Sequence, residues 1–337
     1  MSSFELITTF VALVVAAVLS AVCINAIHPL LIRYAMARPN ARSSHKVPTP
    51  QGAGIAVISV TLLVAGCSIA SLSVSATPAL WVLFAATILI ATIGAIDDLR
   101  PISVTPRLLL QAVSIAAILF ALPPTLQITP DLPLWIERGL LLLAALWFVN
   151  LVNFMDGLDW ITVAEVIPIT AALVLIGFSG QLPLSTALIA AALCGATLGF
   201  APFNRPVAKM FLGDVGSLPI GLLLAWCFLQ LAYAHHLAAA ILLPLYYLAD
   251  ATITLLRRLA KREPVWLAHR SHFYQRATDN GFAVIEVVRT AFVLNIGLAA
   301  LAALSIYLRS GVADAALLVL GSIAVAAVLR AFSTPRR

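Results

Sequence analysis

Charged side chains are scarce in this sequence. Only 10% of its 337 residues are Asp, Glu, Lys or Arg, and 62% are hydrophobic. An ordinary soluble domain carries about 25% charged residues. A chain with so little charge cannot cover a globule with polar surface, which excludes a soluble globular protein. The mean hydropathy of +1.05 instead predicts an all-α, polytopic integral membrane protein.

Cysteine is also rare and unpatterned. The four cysteines, at positions 23, 67, 194 and 227, are scattered within apolar stretches, and none forms a CxxC pair. This pattern excludes a thiolate metal site and indicates small packing residues. No internal repeat and no soluble insertion is evident, so residues 1–337 are expected to form a single multi-pass membrane domain.

About eleven stretches are long and apolar enough to span a membrane. With an N-terminus outside, the C-terminal tail and five loops fall on one side, near 28–52, 97–107, 153–160, 202–217 and 257–289. They hold 18 of the 20 Lys and Arg residues. An excess of Lys and Arg marks cytoplasmic loops, so this side and the C-terminus are predicted to be cytoplasmic. The net charge of +6 thus indicates topology and not nucleic-acid binding.

Aspartates stand where apolar stretches meet the predicted cytoplasmic side. They are Asp97 and Asp98 in GAIDDLRP, Asp156 and Asp159 in NFMDGLDW, and Asp214 in MFLGDVGSLP. If NFMDGLDW is helical, Asp156 and Asp159 share one face, with Asn150 and Asn153 one turn earlier. Oxygen ligands without a Cys or His framework suit Mg²⁺, with Mn²⁺ as the alternative, and Mg²⁺ commonly adds substrate phosphates to its ligands. The acids therefore predict a metal site for a phosphate-bearing substrate.

Cations and hydrogen-bond donors on the same predicted side complement the negative charge of these aspartates. RSSHKVPTPQGAG contains His45 and Lys46, and HRSHFYQR contains His269, Arg270, His272 and Arg276. The second segment combines His, Arg and aromatic residues, which suits an anionic group and a flat ring. Arg107 and Lys209 are further candidates for phosphate contacts.

Two acids lie deeper in apolar stretches. Asp250 is one to two turns from Arg257 and Arg258, and it is either a functional carboxylate or their intrahelical partner. Glu165 is isolated in sequence, and no role follows for it.

Taken together and in this order, RSSHKVPTPQGAG, GAIDDLR, NFMDGLDW, AKMFLGDVGS and HRSHFYQRA resemble the motifs of the polyprenyl-phosphate N-acetylhexosamine-1-phosphate transferases, a glycosyltransferase family 4 type. The resemblance covers roughly residues 40–335. It implies transfer of a sugar 1-phosphate from a UDP-sugar to undecaprenyl phosphate, with release of UMP. It also implies Mg²⁺ and an active site on the cytoplasmic face of the bacterial inner membrane. The implied partners are the lipid, the UDP-sugar and the membrane, with a homodimer left open.

The resemblance also implies roles for single residues. Asp97 and Asp98 match the paired acids near the lipid phosphate and the metal, and Asp156 and Asp159 match catalytic acids of the central loop. Asp214 matches the metal-binding aspartate, with Asp98 and Asn153 as further metal ligands. The expected substrate-binding residues are His45, Lys46, Arg107, Asn150, Asn153, Lys209, His269, Arg270, His272 and Arg276.

The form of HRSHFYQR is closer to the O-antigen initiating branch than to the phospho-MurNAc-pentapeptide translocase, whose segment has adjacent histidines. One departure from the family is Trp160, where glycine often follows the second aspartate. This departure bears on substrate fit more than on the reaction.

Two mechanisms remain open at this point. An aspartate of the 97–98 pair removes a proton from the lipid phosphate, or an aspartate attacks first and forms a covalent phosphosugar intermediate. Two other functions are weighed against this one. A Mg²⁺-dependent membrane prenyltransferase would require Asp-rich helical motifs that DDLR and DGLD match poorly. A cation-coupled transporter would use Asp250 and Glu165 and would need no nucleotide.

Overall fold

The described residues of the chain form thirteen α-helices and one pair of very short strands. The computed structural model describes residues 2–37, 48–74, 77–264 and 269–336. Helices α1 to α7 are Ser3–Tyr34, Gly54–Ser71, Pro78–Leu99, Val104–Ala121, Leu134–Met155, Ile161–Phe178 and Leu184–Phe200. Helices α8 to α13 are Asp214–Tyr233, Leu237–Leu242, Leu245–Ala260, Phe273–Asp279, Val284–Leu308 and Gly311–Ser333. Strands β1 (Met36–Ala37) and β2 (Thr49–Pro50) pair antiparallel.

The predicted all-α, polytopic architecture is confirmed. Within the described ranges, nine helices are long and apolar enough to cross a membrane. Helix α7 is equally apolar but has only 17 residues. Because lipid offers no hydrogen bonds, each apolar stretch satisfies its backbone internally as a helix. The orientation across the membrane stays a prediction of the charge pattern.

The predicted count of eleven spans is not confirmed, and one predicted span differs in structure. The apolar stretch 236–256, expected as one span, is two helices, α9 and α10, which meet at Leu243 and Pro244. Pro244 has no backbone N–H to donate, and its ring clashes with the preceding helical turn, so the helix is interrupted there. Helix α10 therefore begins again at Leu245 and carries Arg257 and Arg258 in its last turn.

Helices α6, α7 and α8 form the buried centre, and the others pack around them. Helix α1 packs along α7, where a Cβ atom at Gly195 would lie 2.0 Å from the carbonyl oxygen of Leu13 and one at Gly199 would lie 2.3 Å from that of Ala17. Only glycine permits such close backbones, which is how membrane helices gain packing contacts. The hydroxyl of Ser20 donates to the carbonyl of Ala196 at 2.9 Å and adds a polar contact.

A backbone connection ties the start of α2 to the start of α8. The N–H of Phe211 donates to the carbonyl of Pro50 at 2.8 Å, and the N–H of Gly52 donates to the carbonyl of Phe211 at 3.1 Å. Helix α3 packs against the other side of α8. The end of α3, the end of α5 and the start of α8 are thereby brought to one place, and the predicted acidic motifs with them.

Candidate active site

Two of the predicted aspartates converge on one arginine. Asp97, near the end of α3, and Asp214, the first residue of α8, both face Arg107 of α4. The guanidinium of Arg107 donates from Nη1 to Oδ2 of Asp97, and the same nitrogen lies 3.5 Å from Oδ2 of Asp214. Its Nε is buried and has no hydrogen-bond partner among the described residues. The two carboxylates thus share a cationic group that still has a donor to offer.

Asp98 holds the start of helix α8. Its Oδ1 accepts from the backbone N–H of Asp214 at 3.0 Å, and its Oδ2 accepts from that of Val215 at 3.1 Å. The first N–H groups of a helix have no intrahelical partner, so this carboxylate satisfies two of them and also faces the positive end of the helix. The side chain of Gln51 donates to the carbonyl of Asp98 at 2.9 Å and ties the same point to β2. The geometry makes Asp98 the residue that positions Asp214.

Asn153 also positions Asp214. Its side-chain amide lies 2.7 Å from Oδ1 of Asp214 and 2.9 Å from the hydroxyl of Ser217, and it donates to both. Ser217 is a residue that sequence reasoning missed, although it lies within the GDVGS motif. Asp214 therefore has one oxygen on Asn153 and the other toward Arg107.

Asn150 is placed elsewhere. Its amide donates to the side-chain oxygen of Gln111 at 2.6 Å and to the carbonyl of Leu146 at 2.8 Å. Asn150 and Gln111 are both buried, so they form a polar contact between α4 and α5. This position does not bring Asn150 to the carboxylates, although it was predicted to bind substrate.

The stretch NFMDGLDW is not continuously helical. Helix α5 ends at Met155 and α6 begins at Ile161, so Asp156 and Asp159 lie in the connection between them. The expected common helix face does not exist, because the polypeptide turns between the two acids. Asp159 is buried and its Oδ2 accepts from the backbone N–H of Ala208 at 3.0 Å.

The environment of Asp156 favours its protonated form. Burial, together with the nearby carboxylates of Asp214, Asp98 and Asp159, raises the pKa of this carboxyl to about 7. The hydroxyl of Thr162 donates to Oδ1 of Asp156 and opposes this shift in part. Several acids therefore repel one another at this end of the helices, and a bound cation would relieve that repulsion.

Trp160 fastens the central loop to the loop that follows α7. Its backbone adopts φ = 63°, a left-handed conformation that favours glycine. Its indole N–H donates to the carbonyl of Ala201 at 2.6 Å. Its backbone N–H donates to the side chain of Asn204 at 2.7 Å, and Asn204 in turn donates to the carbonyl of Met210 at 3.0 Å. These bonds hold the strained residue in place.

This strain predicts an unusual order of stabilities. Trp160→Gly and Trp160→Ala both remove the indole, but only glycine adopts the positive φ without strain. The glycine variant should therefore be more stable than the alanine variant by about 1 kcal/mol in the free energy of unfolding. Equilibrium unfolding in mixed micelles would measure both values.

The control for this prediction is Trp81, which lies inside α3. At a helical position glycine is less stable than alanine by about 0.5–1 kcal/mol, so the order of the Trp81 variants should be reversed. The same order at both positions would contradict the role assigned to the conformation of Trp160.

Asp250 holds helix α11, which carries the histidine segment. It is fully buried, and its Oδ1 accepts from the backbone N–H of Phe273 at 2.9 Å while its Oδ2 accepts from that of Tyr274 at 3.1 Å. Its Oδ1 also lies 3.3 Å from Nδ1 of His272. Of the two readings offered by the sequence, the intrahelical pair with Arg257 or Arg258 is not formed, and a functional carboxylate stays a prediction. Asp250 anchors α11 to α10.

Helix α11 in turn contacts the central loop. The hydroxyl of Tyr274 donates to the carbonyl of Phe154 at 3.0 Å. A Cβ atom at Gly157 would lie 2.2 Å from that hydroxyl, so only glycine allows this approach. The ring of His272 lies beside Phe154 and Tyr274, with centroid distances of 6.5 and 5.8 Å. The histidine segment is therefore next to the loop that carries Asp156 and Asp159.

The remaining predicted residues of this segment differ in position. His269 lies 4.8 Å from His272 between ring centroids, and its Nδ1 is 2.8 Å from the hydroxyl of Ser271. Arg270 instead contacts α11, with Nη2 3.3 Å from Oδ1 of Asp279. The two histidines are thus placed together, whereas Arg270 contacts the end of α11.

Three further predictions have different outcomes. Lys209 is exposed in the loop before α8. Arg276 lines a separate basic cavity with the end of α10. His45 and Lys46 lie outside the described residues.

In the described part of the chain, no three side chains of the types His, Cys, Asp and Glu are grouped as a metal site. The convergence of Asp97 and Asp214 on one guanidinium is the arrangement that comes nearest to one. Two carboxylates facing a single cationic group match the donor set of Mg²⁺, which commonly takes one or two carboxylates and completes its shell with water and substrate phosphates. The donor set therefore fits Mg²⁺.

The sequence of the chain is also similar to those of known proteins. The model of glycosyl transferase family 4 matches residues 80–232, which include all five predicted aspartates. The chain is 26% identical over 319 residues to a probable undecaprenyl-phosphate N-acetylglucosaminyl 1-phosphate transferase of Bacillus subtilis (strain 168). That alignment covers 88% of this chain and 87% of the relative.

Two shorter similarities involve phospho-N-acetylmuramoyl-pentapeptide-transferases. The protein of Limosilactobacillus fermentum is 39% identical over 121 residues, which cover 34% of this chain and 36% of the relative. The protein of Mycobacterium tuberculosis (strain H37Rv) is 42% identical over 88 residues, which cover 21% of this chain and 24% of the relative.

Proposed function

This chain belongs to glycosyl transferase family 4, and we propose that it transfers a sugar 1-phosphate from a UDP-sugar to undecaprenyl phosphate. An oxygen of the lipid phosphate attacks the phosphorus that carries the sugar. The bond from that phosphorus to the oxygen of UMP breaks, and UMP leaves with its electron pair. The products are undecaprenyl-diphospho-sugar and UMP.

One observation carries this proposal: Asp97 and Asp214 converge on Arg107 within the region matched by the family model. Two phosphorylated substrates repel each other, so their meeting requires positive charge at the point of contact. Arg107 places one positive charge at this point, next to the two carboxylates.

Asp97 and Asp214 are the residues that would hold Mg²⁺. An ion held there would supply positive charge that offsets the charge developing on UMP. Asn153 and Asp98 would keep the carboxylate of Asp214 in position through the bonds described above. In this proposal Asp98 is a positioning residue, because both of its oxygens already accept backbone hydrogen bonds.

The proposal also includes the class of sugar, the side of the membrane and the pathway. We place an N-acetylhexosamine on the UDP and the site on the cytoplasmic face of the bacterial inner membrane, as the basic loops indicate. The resemblance of HRSHFYQR to the O-antigen initiating branch supports a role in starting a cell-surface polysaccharide. Residues 269–276 would lie near the nucleotide sugar because α11 contacts the central loop.

Release of UMP by the purified protein would test the reaction. The protein in detergent would receive undecaprenyl phosphate, Mg²⁺ and a panel of UDP-N-acetylhexosamines. We expect UMP only when lipid, nucleotide sugar and metal are all present, and removal of the metal with a chelator should abolish it until Mg²⁺ is restored. UMP release that continues without the lipid, or full activity in the chelator, would contradict the proposal.

A further inference from the structure

A basic cavity lies where the end of α10 meets α11. Its volume is about 200 Å³, and four cations and one acid contribute to its lining: Arg257, Arg258, Lys261, Arg276 and Glu263. The acidic cluster of the candidate active site has the opposite charge. The cavity therefore attracts anions by itself, without a metal ion.

Most of this positive charge is not neutralised by the acid that lines the cavity. Arg258 is buried and pairs with Glu263, with Nε 2.9 Å from Oε2, and it also donates to the carbonyl of Pro264 at 3.0 Å. The single acid that lines the cavity is thereby neutralised by one cation. Arg257, Lys261 and Arg276 remain as an excess of three positive charges around one concave surface.

One of these cations is held in a fixed position. The guanidinium of Arg257 lies over the ring of Phe273, with 4.5 Å from its central carbon to the ring centroid. Such a contact stabilises a cation without neutralising it. Since the face of Phe273 is taken by Arg257, the described residues that line the cavity present charge to a ligand and no free aromatic face to a nucleobase. This favours a phosphate group over a nucleotide.

Beside the cavity, α10 exposes an apolar row. Ile253, Leu256 and Leu259 are 36%, 56% and 60% exposed, and Arg257 and Lys261 follow Ile253 at intervals of four residues on the same helix. Residues four apart are neighbours on a helix surface, so the cations border the apolar row. Apolar side chains next to cations suit the acyl chains and the phosphate of a lipid at the membrane surface.

We infer that this cavity binds the phosphate headgroup of an anionic membrane phospholipid, whose acyl chains lie along Ile253, Leu256 and Leu259. The lipid holds the end of α10 at the membrane surface and, through Arg257 and Phe273, fixes the position of α11. The inference depends on the charges and the apolar row, and it holds whatever reaction the acidic cluster performs.

Retention of lipid by the intact protein tests this inference. Native mass spectrometry would count dioleoylphosphatidylglycerol or dioleoylphosphatidylcholine bound to the full chain released from micelles. We expect one molecule of phosphatidylglycerol to be retained in preference to phosphatidylcholine. Lys261→Gln should weaken its binding about fivefold, the contribution of one lysine beside an anionic lipid. Lys261→Arg keeps the charge and should restore binding.

Arg289→Gln is the matched control, because Arg289 is an exposed cation of α12 outside the cavity. It removes the same charge and should change phosphatidylglycerol binding less than twofold. Equal losses in Lys261→Gln and Arg289→Gln would overturn the inference in favour of general surface charge, as would equal retention of both lipids.

Two competition experiments distinguish a bound phospholipid from other sources of phosphate. Inorganic phosphate at millimolar concentration should leave phosphatidylglycerol in place, and its displacement would show a site for free phosphate. Undecaprenyl phosphate at an equal concentration should displace at most half of the bound phospholipid. Complete displacement would assign the cavity to the polyprenyl substrate and overturn the inference.

Discussion

The Asp214→Asn variant is expected to release UMP roughly a thousandfold more slowly than the wild type. Asparagine has the same shape as aspartate and keeps an oxygen for the amide of Asn153, so the local fold should persist. It lacks the negative charge that faces Arg107 and that a divalent cation requires. The loss should therefore fall on turnover, measured as UMP release at saturating substrates.

Asp131→Asn is the control for this experiment. Asp131 is an exposed acid in the connection between α4 and α5, so its replacement removes the same charge far from the cluster in sequence. We expect turnover within twofold of the wild type. Turnover of Asp214→Asn within tenfold of the wild type would show that this carboxylate is not required and would remove the basis for metal binding at Asp97 and Asp214.

The Asp250→Ala variant should lose about 3 kcal/mol in the free energy of unfolding. The substitution leaves the backbone N–H groups of Phe273 and Tyr274 buried without their acceptor, and each such group costs about 1–3 kcal/mol. Because these two residues begin α11, the loss should be concentrated there. Hydrogen exchange followed by mass spectrometry would be measured without denaturant. We expect faster exchange in the peptide that covers 269–280, while the rest of the chain stays protected.

Asp279→Ala removes an acid from the same helix but from its exposed end, where Asp279 pairs with Arg270. An exposed ion pair contributes at most about 1 kcal/mol, so stability should change little. If Asp250→Ala left exchange in 269–280 unchanged, Asp250 would not be the anchor of α11. Its burial among backbone amides also leaves it poorly placed for the ion pathway that a transporter would require.

The sequence was sufficient to predict which motifs meet. Asp97, Asp98, Asn153 and Asp214 end or begin apolar stretches, and a membrane confines such positions to a common depth. This constraint explains why acids separated by more than a hundred residues could be assigned to one cluster. The helical architecture followed for the same reason, since lipid leaves the backbone no alternative.

The partners of these residues could not be predicted. Whether Asp98 faces a substrate or the first N–H groups of α8 depends on how closely α3 packs against α8, which no local pattern encodes. The expectation of a shared face for Asp156 and Asp159 relied on a helix that in fact ends at Met155. Gln111 gave a usable signal, because a polar residue inside an apolar stretch usually has a partner, but the sequence did not identify Asn150 as that partner.

The contact between α1 and α7 has a consequence for how the protein is made. About 150 residues separate the end of α1 from the start of α7. At a synthesis rate of roughly 5–20 residues per second, α1 waits on the order of ten to thirty seconds before its glycine-bearing partner leaves the ribosome. During that interval the face of α1 that later packs against α7, with the hydroxyl of Ser20, must contact lipid, α2 or the insertion machinery. Enlarging Gly195 would therefore impair assembly of the nascent chain at the point where α7 enters the bilayer, after α1 to α6 are already there.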